Sequence, residues 1–312
     1  MQDYGEISVG VIGAGLMGHG IAIEFARNGA SVRIYDKELE VRRGVVERIR
    51  GTLELMSKMD LVSPDATSSI IGRITIFDEM EEAVAPVEYV VEAVTEDLSV
   101  KTRVFRQLDE WCSGDVVLAS NTSALSPSAL GAATRRPENV LVTHFFNPPF
   151  LLPLVEIVPG KETSSAAAGK ASAMCRLMGK KTVTLQKEAP GFLVNRLQFA
   201  LFREAMAIVD GGIATPEDVD RATVLSFGNR LGVLGPFHIA DIAGLDVYEA
   251  ICDTLFADLD NSNVARSSIT RLTKEGNLGA KTGRGYFQWA PGEYDQAREA
   301  LARHAKIMFG EG

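Results

Sequence analysis

Residues 7–36 read "ISVGVIGAGLMGHGIAIEFARNGASVRIYD". An apolar run enters G-x-G-x-x-G at Gly13, Gly15 and Gly18, an amphipathic stretch follows, and a second β-branched run ends in Asp36. Strand, glycine turn, helix and strand in that order form the first unit of a nucleotide-binding parallel sheet. Gly13 allows the tight turn, Gly15 lets a pyrophosphate approach the backbone, and Gly18 lets helix and strand pack closely. The helix that opens there, with Leu16 and Met17 in its first turn, aims free N–H groups and a partial positive charge at the phosphates. Asp36 stands eighteen residues beyond Gly18, where a carboxylate accepts both ribose hydroxyls of an adenosine and repels a 2′-phosphate. NAD rather than NADP is the expected cofactor, held by Gly13, Gly15, Leu16, Met17, Gly18 and Asp36. The plainer alternative is a glycine-rich turn that binds nothing.

Beyond this unit the runs "RITIF", "VEYVVEA", "VVLAS", "VLVTHF", "LVEIV" and "KTVTLQ" alternate with amphipathic stretches. That alternation builds a mostly parallel sheet covered by helices on both faces, a Rossmann-type doubly wound α/β fold. After "KEAPGF" the apolar period becomes three and four residues, as in "LVNRLQFALFREAMAIVDGG" and the closing "DQAREALARHAKIM", so helices replace strands. The expected division is a cofactor domain over residues 1–187 and an all-helical domain over residues 188–312, with Pro190-Gly191 as the hinge.

Bulk properties narrow the function. With 312 residues, 46% of them apolar, the chain can build two cores. A net charge of −9 opposes a polyanionic partner, so nucleic acid is not expected. Cys112, Cys175 and Cys252 are odd in number and form no CxxC pair, which fits a reduced, cytoplasmic setting and no thiolate metal site. No signal peptide or membrane span is read, and the scattered histidines offer no metal-ligand spacing.

If NAD binds, a hydroxyl-bearing carbon gives up a hydride while a base takes the hydroxyl proton. His144 closes the strand "VLVTH" at the carboxyl end of the sheet, where ligands of such folds sit, and imidazole titrates near neutrality. Glu156 follows in "LVEIV", the first charge after His144, and a carboxylate there can orient the imidazole and stabilise its cation. Each residue also has an ordinary reading, the histidine as a packed strand end and the glutamate on a solvated strand face.

Taken together, "SNTSAL", "HFFNP", "LVE", "PGFLVNR" and "GAKTGRGYF", in order after the glycine loop, resemble the NAD-dependent 3-hydroxyacyl-CoA dehydrogenase family over roughly residues 7 to 289. The resemblance implies oxidation of a secondary alcohol, 3-hydroxy to 3-oxo, with His144 and Glu156 as a catalytic dyad and Ser123 and Asn195 holding the reacting oxygen. It further implies NAD contacts at Glu96, Lys101, Ser123, Asn147 and Lys281, and a helical domain that closes over the cofactor and forms a homodimer. Fatty-acid or butanoate metabolism with an acyl-CoA substrate is one expectation; a crystallin-like structural protein that binds NAD without turnover is the rival from another class.

The chain departs from the acyl-CoA pattern in the stretch "RIRGTLELMSKMDLVSPDA". The serine and lysine that hold CoA in the family align here with Thr52 and Met59. The segment "NPPFLLP", with Pro149 and Pro153, is similar to the lambda-crystallin, L-gulonate 3-dehydrogenase and carnitine dehydrogenase branch. Arg230, in a loop of "SFGNRLGVLGP", is expected to anchor the carboxylate of a small free hydroxy acid through a planar two-point contact, a surface arginine being the alternative.

Overall fold

The first strand, β1 (Ser8–Ile12), shows why the chain folds as it does: Val9 and Val11 enter one apolar cluster and Ile12 the other, so the strand is covered on both faces. The same alternation recurs in β4 (Tyr89–Glu92) and β5 (Val117–Ser120), with Tyr89, Val91, Val117 and Ala119 on one side and Val90 and Leu118 on the other. A period of two with both faces apolar is the signature of a buried parallel sheet. A computed structural model describes residues 7–309, so the outermost residues of the two expected domains lie outside the described residues.

Eight strands form one sheet in the order β3-β2-β1-β4-β5-β6-β7-β8, adding β2 (Ser31–Tyr35), β3 (Ile74–Ile76), β6 (Val140–Phe145), β7 (Leu154–Pro159) and β8 (Lys181–Thr184). All neighbours are parallel except β6 and β7, which run antiparallel. Every run read as a strand is one. The helices of this part are α1 (Leu16–Arg27), α2 (Leu39–Lys58), α3 (Thr67–Gly72), α4 (Met80–Val84), α5 (Leu98–Trp111), α6 (Pro127–Gly131) and α7 (Ser165–Leu177). Strand order reverses between β1 and β4, and the crevice at the carboxyl ends of those strands is where a dinucleotide lies in such sheets.

The chain divides into two compact units between Val194 and Asn195. The second contains α8 (Val194–Asp210) from Asn195 onward, then α9 (Pro216–Leu225), α10 (Phe227–Leu231), α11 (Pro236–Ala243), α12 (Leu245–Leu255), α13 (Ser267–Lys274) and α14 (Glu293–Phe309). Its only described β features are isolated bridges around Arg284. No described helix is long and apolar enough to cross a membrane.

Candidate active site

The glycine loop has the shape its residue types require. Gly13 has φ +100°, and a Cβ there would lie 2.5 Å from the Ala93 carbonyl oxygen. A Cβ on Gly18 would lie 1.8 Å from the Gly13 oxygen, whereas one on Gly15 would meet nothing within 4 Å. Gly13 and Gly18 are therefore glycines for packing, and Gly15 opens onto space that an anion can enter. Asp36 follows β2 and is tied by both oxygens: Oδ2 accepts the Ala14 N–H at 2.8 Å and Oδ1 the Glu38 N–H at 2.9 Å. Gly13, Gly15 and Asp36 line a cavity of about 840 Å³.

A second cavity, of about 480 Å³, shares Ala93, Val94 and Thr95 with the first. Leu16, Met17, Glu96, Ser123, His144 and Asn147 line it, which brings together six of the residues singled out in the sequence. The antiparallel register of β6 and β7 sets His144 directly opposite Glu156. Their side chains meet at 2.7 Å, from His144 Nδ1 to Glu156 Oε2, with the glutamate fully buried.

The second oxygen, Glu156 Oε1, accepts the Leu193 and Val194 N–H groups at 2.9 and 2.8 Å. Those amides are aimed by two successive left-handed residues, Gly191 (φ +74°) and Phe192 (φ +52°). A non-glycine residue in that region costs about 1–3 kcal/mol, held here by burial of the Phe192 ring. Burial alone pushes the Glu156 carboxyl up, but the hydrogen bonds from His144, Val194 and Leu193 outweigh it and hold the group below its ordinary value.

A charged carboxylate accepts only, so Nδ1 of His144 carries the hydrogen and Nε2 of the neutral ring keeps a lone pair. Phe146 and Phe192 flank the imidazole, with ring centroids 4.6 and 5.6 Å away, and limit water around it. Such a group can take a proton from an alcohol at the cavity wall.

Other expected residues line neither cavity. Lys101 lines neither cavity; its side chain is 1% exposed and its ammonium lies 2.7 Å from Glu92 Oε1 and 3.4 Å from Glu96 Oε2. Asn195, Arg230 and Lys281 belong to the helical unit. Arg230 was expected in a loop but stands on α10, exposed, because Phe227–Leu231 closes a helical turn. Lys281 lies exposed in the 3₁₀ turn Ala280–Thr282, and Asn195 is half-buried in the first turn of α8. Among the described residues no group of three or more His, Cys, Asp or Glu side chains could hold a metal ion.

Sequence reasoning missed three contributors. Asn121 Oδ1 accepts the Phe145 N–H at 2.9 Å and so fixes the end of β6 next to His144. Glu92 lies under the loop that bears Ser123, and its signal, a charge inside an apolar strand, was the one that identified Glu156. His19 carries no motif signal of its own, and its Nδ1 donates to the Gly15 oxygen at 2.7 Å while its Nε2 meets Thr52 Oγ1 at 3.1 Å.

Comparison with known proteins identifies the family. The family model described as the NAD-binding domain of 3-hydroxyacyl-CoA dehydrogenase matches residues 8–189, and the model of the C-terminal domain matches residues 191–289. A 5-formyl-3-hydroxy-2-methylpyridine 4-carboxylate 5-dehydrogenase of Mesorhizobium japonicum is 32% identical over 302 residues, 96% of each chain. A probable 3-hydroxybutyryl-CoA dehydrogenase of Bacillus subtilis is 35% identical over 280 residues, 89% of this chain and 96% of its own. A solved structure of a 5-formyl-3-hydroxy-2-methylpyridine 4-carboxylic acid 5-dehydrogenase, described as an NAD+ dependent dismutase, superposes with a TM-score of 0.89 at 30% identity, covering 99% of this chain and 100% of its own. The chain belongs to the 3-hydroxyacyl-CoA dehydrogenase family of NAD-dependent oxidoreductases, and NAD is its cofactor.

Proposed function

We propose that this member of the 3-hydroxyacyl-CoA dehydrogenase family oxidises the 3-hydroxyl of a small free hydroxy acid, with His144 as general base. Bound NAD supplies the hydride acceptor. His144 Nε2 receives the hydroxyl proton, Glu156 orients the ring and stabilises the cation that forms, and Ser123 and Asn195 hold the reacting oxygen. Glu96 and Asn147, on the cavity wall, would hold the cofactor together with Lys281, and Arg230 would anchor the substrate carboxylate. The observation that carries this reading is the buried 2.7 Å contact of Glu156 with His144, which lines a cavity that adjoins the glycine-loop cavity along Ala93–Thr95.

Two observations favour a free acid over a CoA ester. First, the pyridine carboxylate enzyme superposes with a TM-score of 0.89 over 99% of the chain, against 0.77 over 92% for an (S)-3-hydroxybutyryl-CoA dehydrogenase of Ralstonia eutropha. Second, Thr52, which the resemblance sets against a CoA-binding serine of the acyl-CoA enzymes, has its hydroxyl engaged by His19 Nε2 at 3.1 Å. Burial pushes the His19 imidazole below its ordinary value more than the Gly15 carbonyl raises it. The ring is therefore neutral, its Nδ1–H serves Gly15, and Thr52 donates its only proton to Nε2. That contact competes with a CoA phosphate for the Thr52 hydroxyl.

The helical unit supports a homodimer. Leu197, Phe199, Phe237 and Ile242 are 58 to 86% exposed, and Val247, Ile251 and Leu255 form an exposed stripe along α12. Apolar surface on this scale marks an interface, and a second copy is the occupant we propose. The unpaired cysteines, two of them buried, suit the cytoplasm.

NADH formation from (S)-3-hydroxybutyryl-CoA, from free 3-hydroxy acids and from an aromatic hydroxymethyl acid, for wild type and Arg230→Ala, tests the substrate. Free-acid turnover whose KM rises about 100-fold in the variant, as loss of a charged two-point contact implies, is the expected result. Efficient turnover of the CoA ester, indifferent to Arg230, returns the enzyme to acyl-CoA metabolism.

A further inference from the structure

We infer that Glu92 is a positioning residue that sets the nicotinamide side of the cleft from beneath. It is fully buried at the carboxyl end of β4 and touches neither cavity. Its Oε1 accepts the Val94 N–H at 2.7 Å and the Lys101 ammonium at 2.7 Å, while Oε2 accepts the Ser120 hydroxyl at 2.6 Å. One carboxylate thus joins three pieces of chain: the loop after β4, helix α5 and the end of β5.

Each partner leads to the cleft. Lys101 stands on the buried stripe of α5 with Phe105 and Leu108, and it also meets Glu96, whose Oε1 accepts the Thr122 hydroxyl and, at 3.1 Å, the Ser123 N–H. Ser120 Oγ, besides donating to Glu92, accepts the Thr122 N–H at 3.2 Å. The Asn121 N–H donates to the Glu92 backbone oxygen at 2.7 Å, and the Asn121 side chain holds the strand of His144. The loop from Ser120 to Ser123 is therefore gripped from below at successive residues, and Glu92 is where the grips converge.

Full burial of a carboxylate and an ammonium is costly, and exchanging both for apolar groups would often be neutral for stability. An apolar pair could fill the volume but could not accept an amide, a hydroxyl and an ammonium at fixed directions. The ionic pair is thus matched to orienting the loop, a positioning function that rests on the NAD-dehydrogenase reading above.

The test compares two ligands of the intact protein, NADH and ADP-ribose, which lacks the nicotinamide, by titration alongside thermal melting. Glu92→Gln is expected to raise the Kd for NADH about tenfold and to leave that for ADP-ribose within about twofold. Equal weakening of both ligands means general loosening of the fold and overturns the inference, as does an unchanged NADH affinity. Should Glu92→Gln not fold, Ser120→Ala removes one grip while keeping the ion pair. A threefold or greater loss for NADH alone supports positioning, and no loss overturns it. Failure of the wild type itself to bind NADH would instead remove the reading beneath.

Discussion

Two buried glutamates in the sheet unit, Glu156 and Glu24, are equally hidden from solvent and have opposite meanings. Glu24, on α1, meets the Lys180 ammonium at 2.7 Å, and Lys180 also donates to the carbonyls of Pro149 and Leu152. Glu156 meets the His144 imidazole at the same distance. Both pairs act around the segment between β6 and β7: one clamps its backbone, the other stands where it leaves and rejoins the sheet. Lys180 spends its donors on protein acceptors, whereas His144 faces a cavity with one ring nitrogen not used by Glu156. Burial of a carboxylate therefore identifies nothing by itself; a titratable partner at a cavity wall does.

The comparison can be broken most severely at Lys180. Lys180→Met leaves Glu24 buried with Arg27 alone, and breaking such a pair costs about 3–5 kcal/mol, on the order of 10 °C in Tm for a unit of this size. Activity per folded molecule is expected to survive. Adding Glu24→Leu should return most of the lost Tm, since an apolar pair replaces the ionic one. A melting curve and a specific activity on both variants check this, and a large activity loss in the rescued double variant would erase the distinction between the pairs.

At the other pair the effect falls on rate. Glu156→Gln removes the charge that stabilises the imidazolium and is expected to lower kcat about 10²-fold, with KM nearly unchanged. Steady-state kinetics with a saturating substrate decide it, and a kcat within threefold of wild type would make Glu156 a structural partner like Glu24.

A smaller effect sharpens the picture at the glycine loop. His19 is held below its ordinary value of 6.5, so as pH falls from that value the unfolded chain takes up a proton that the folded ring resists. Stability is complete above pH 6.5 and declines below it until the folded ring titrates. Glu156, also depressed, contributes stability that is present above 4.5 and is lost at lower pH as the folded carboxyl takes its proton. Thermal melting between pH 7 and 5 should show a decline that His19→Gln flattens. A wild-type profile flat over that range contradicts the buried neutral ring.

Much of this was legible in the residues. The strands could be read because β-branched runs bounded by turn residues have no other stable use at that length. The antiparallel turn between β6 and β7 was also latent, because residues 146–153 are too few for a parallel crossover. Lys101, expected at the cofactor, is buried instead, and its place on the three- and four-residue stripe of α5 with Phe105 and Leu108 carried that signal. Ser120 and Asn121 carried no such mark, since short polar residues at strand ends serve turns as readily as networks. The roles of Arg230 and Lys281 stayed out of reach for a different reason: an exposed cation looks alike in sequence whether or not a ligand meets it.

The most direct measurement is single-turnover NADH formation by His144→Asn, on the panel compound that the wild type turns over fastest, beside its NADH affinity. Removing a general base while keeping a polar side chain of smaller volume should leave NADH binding within about threefold and slow hydride transfer about 10³-fold. Transfer within about tenfold of wild type would show that His144 packs a strand end, and the proton would have to leave by another group.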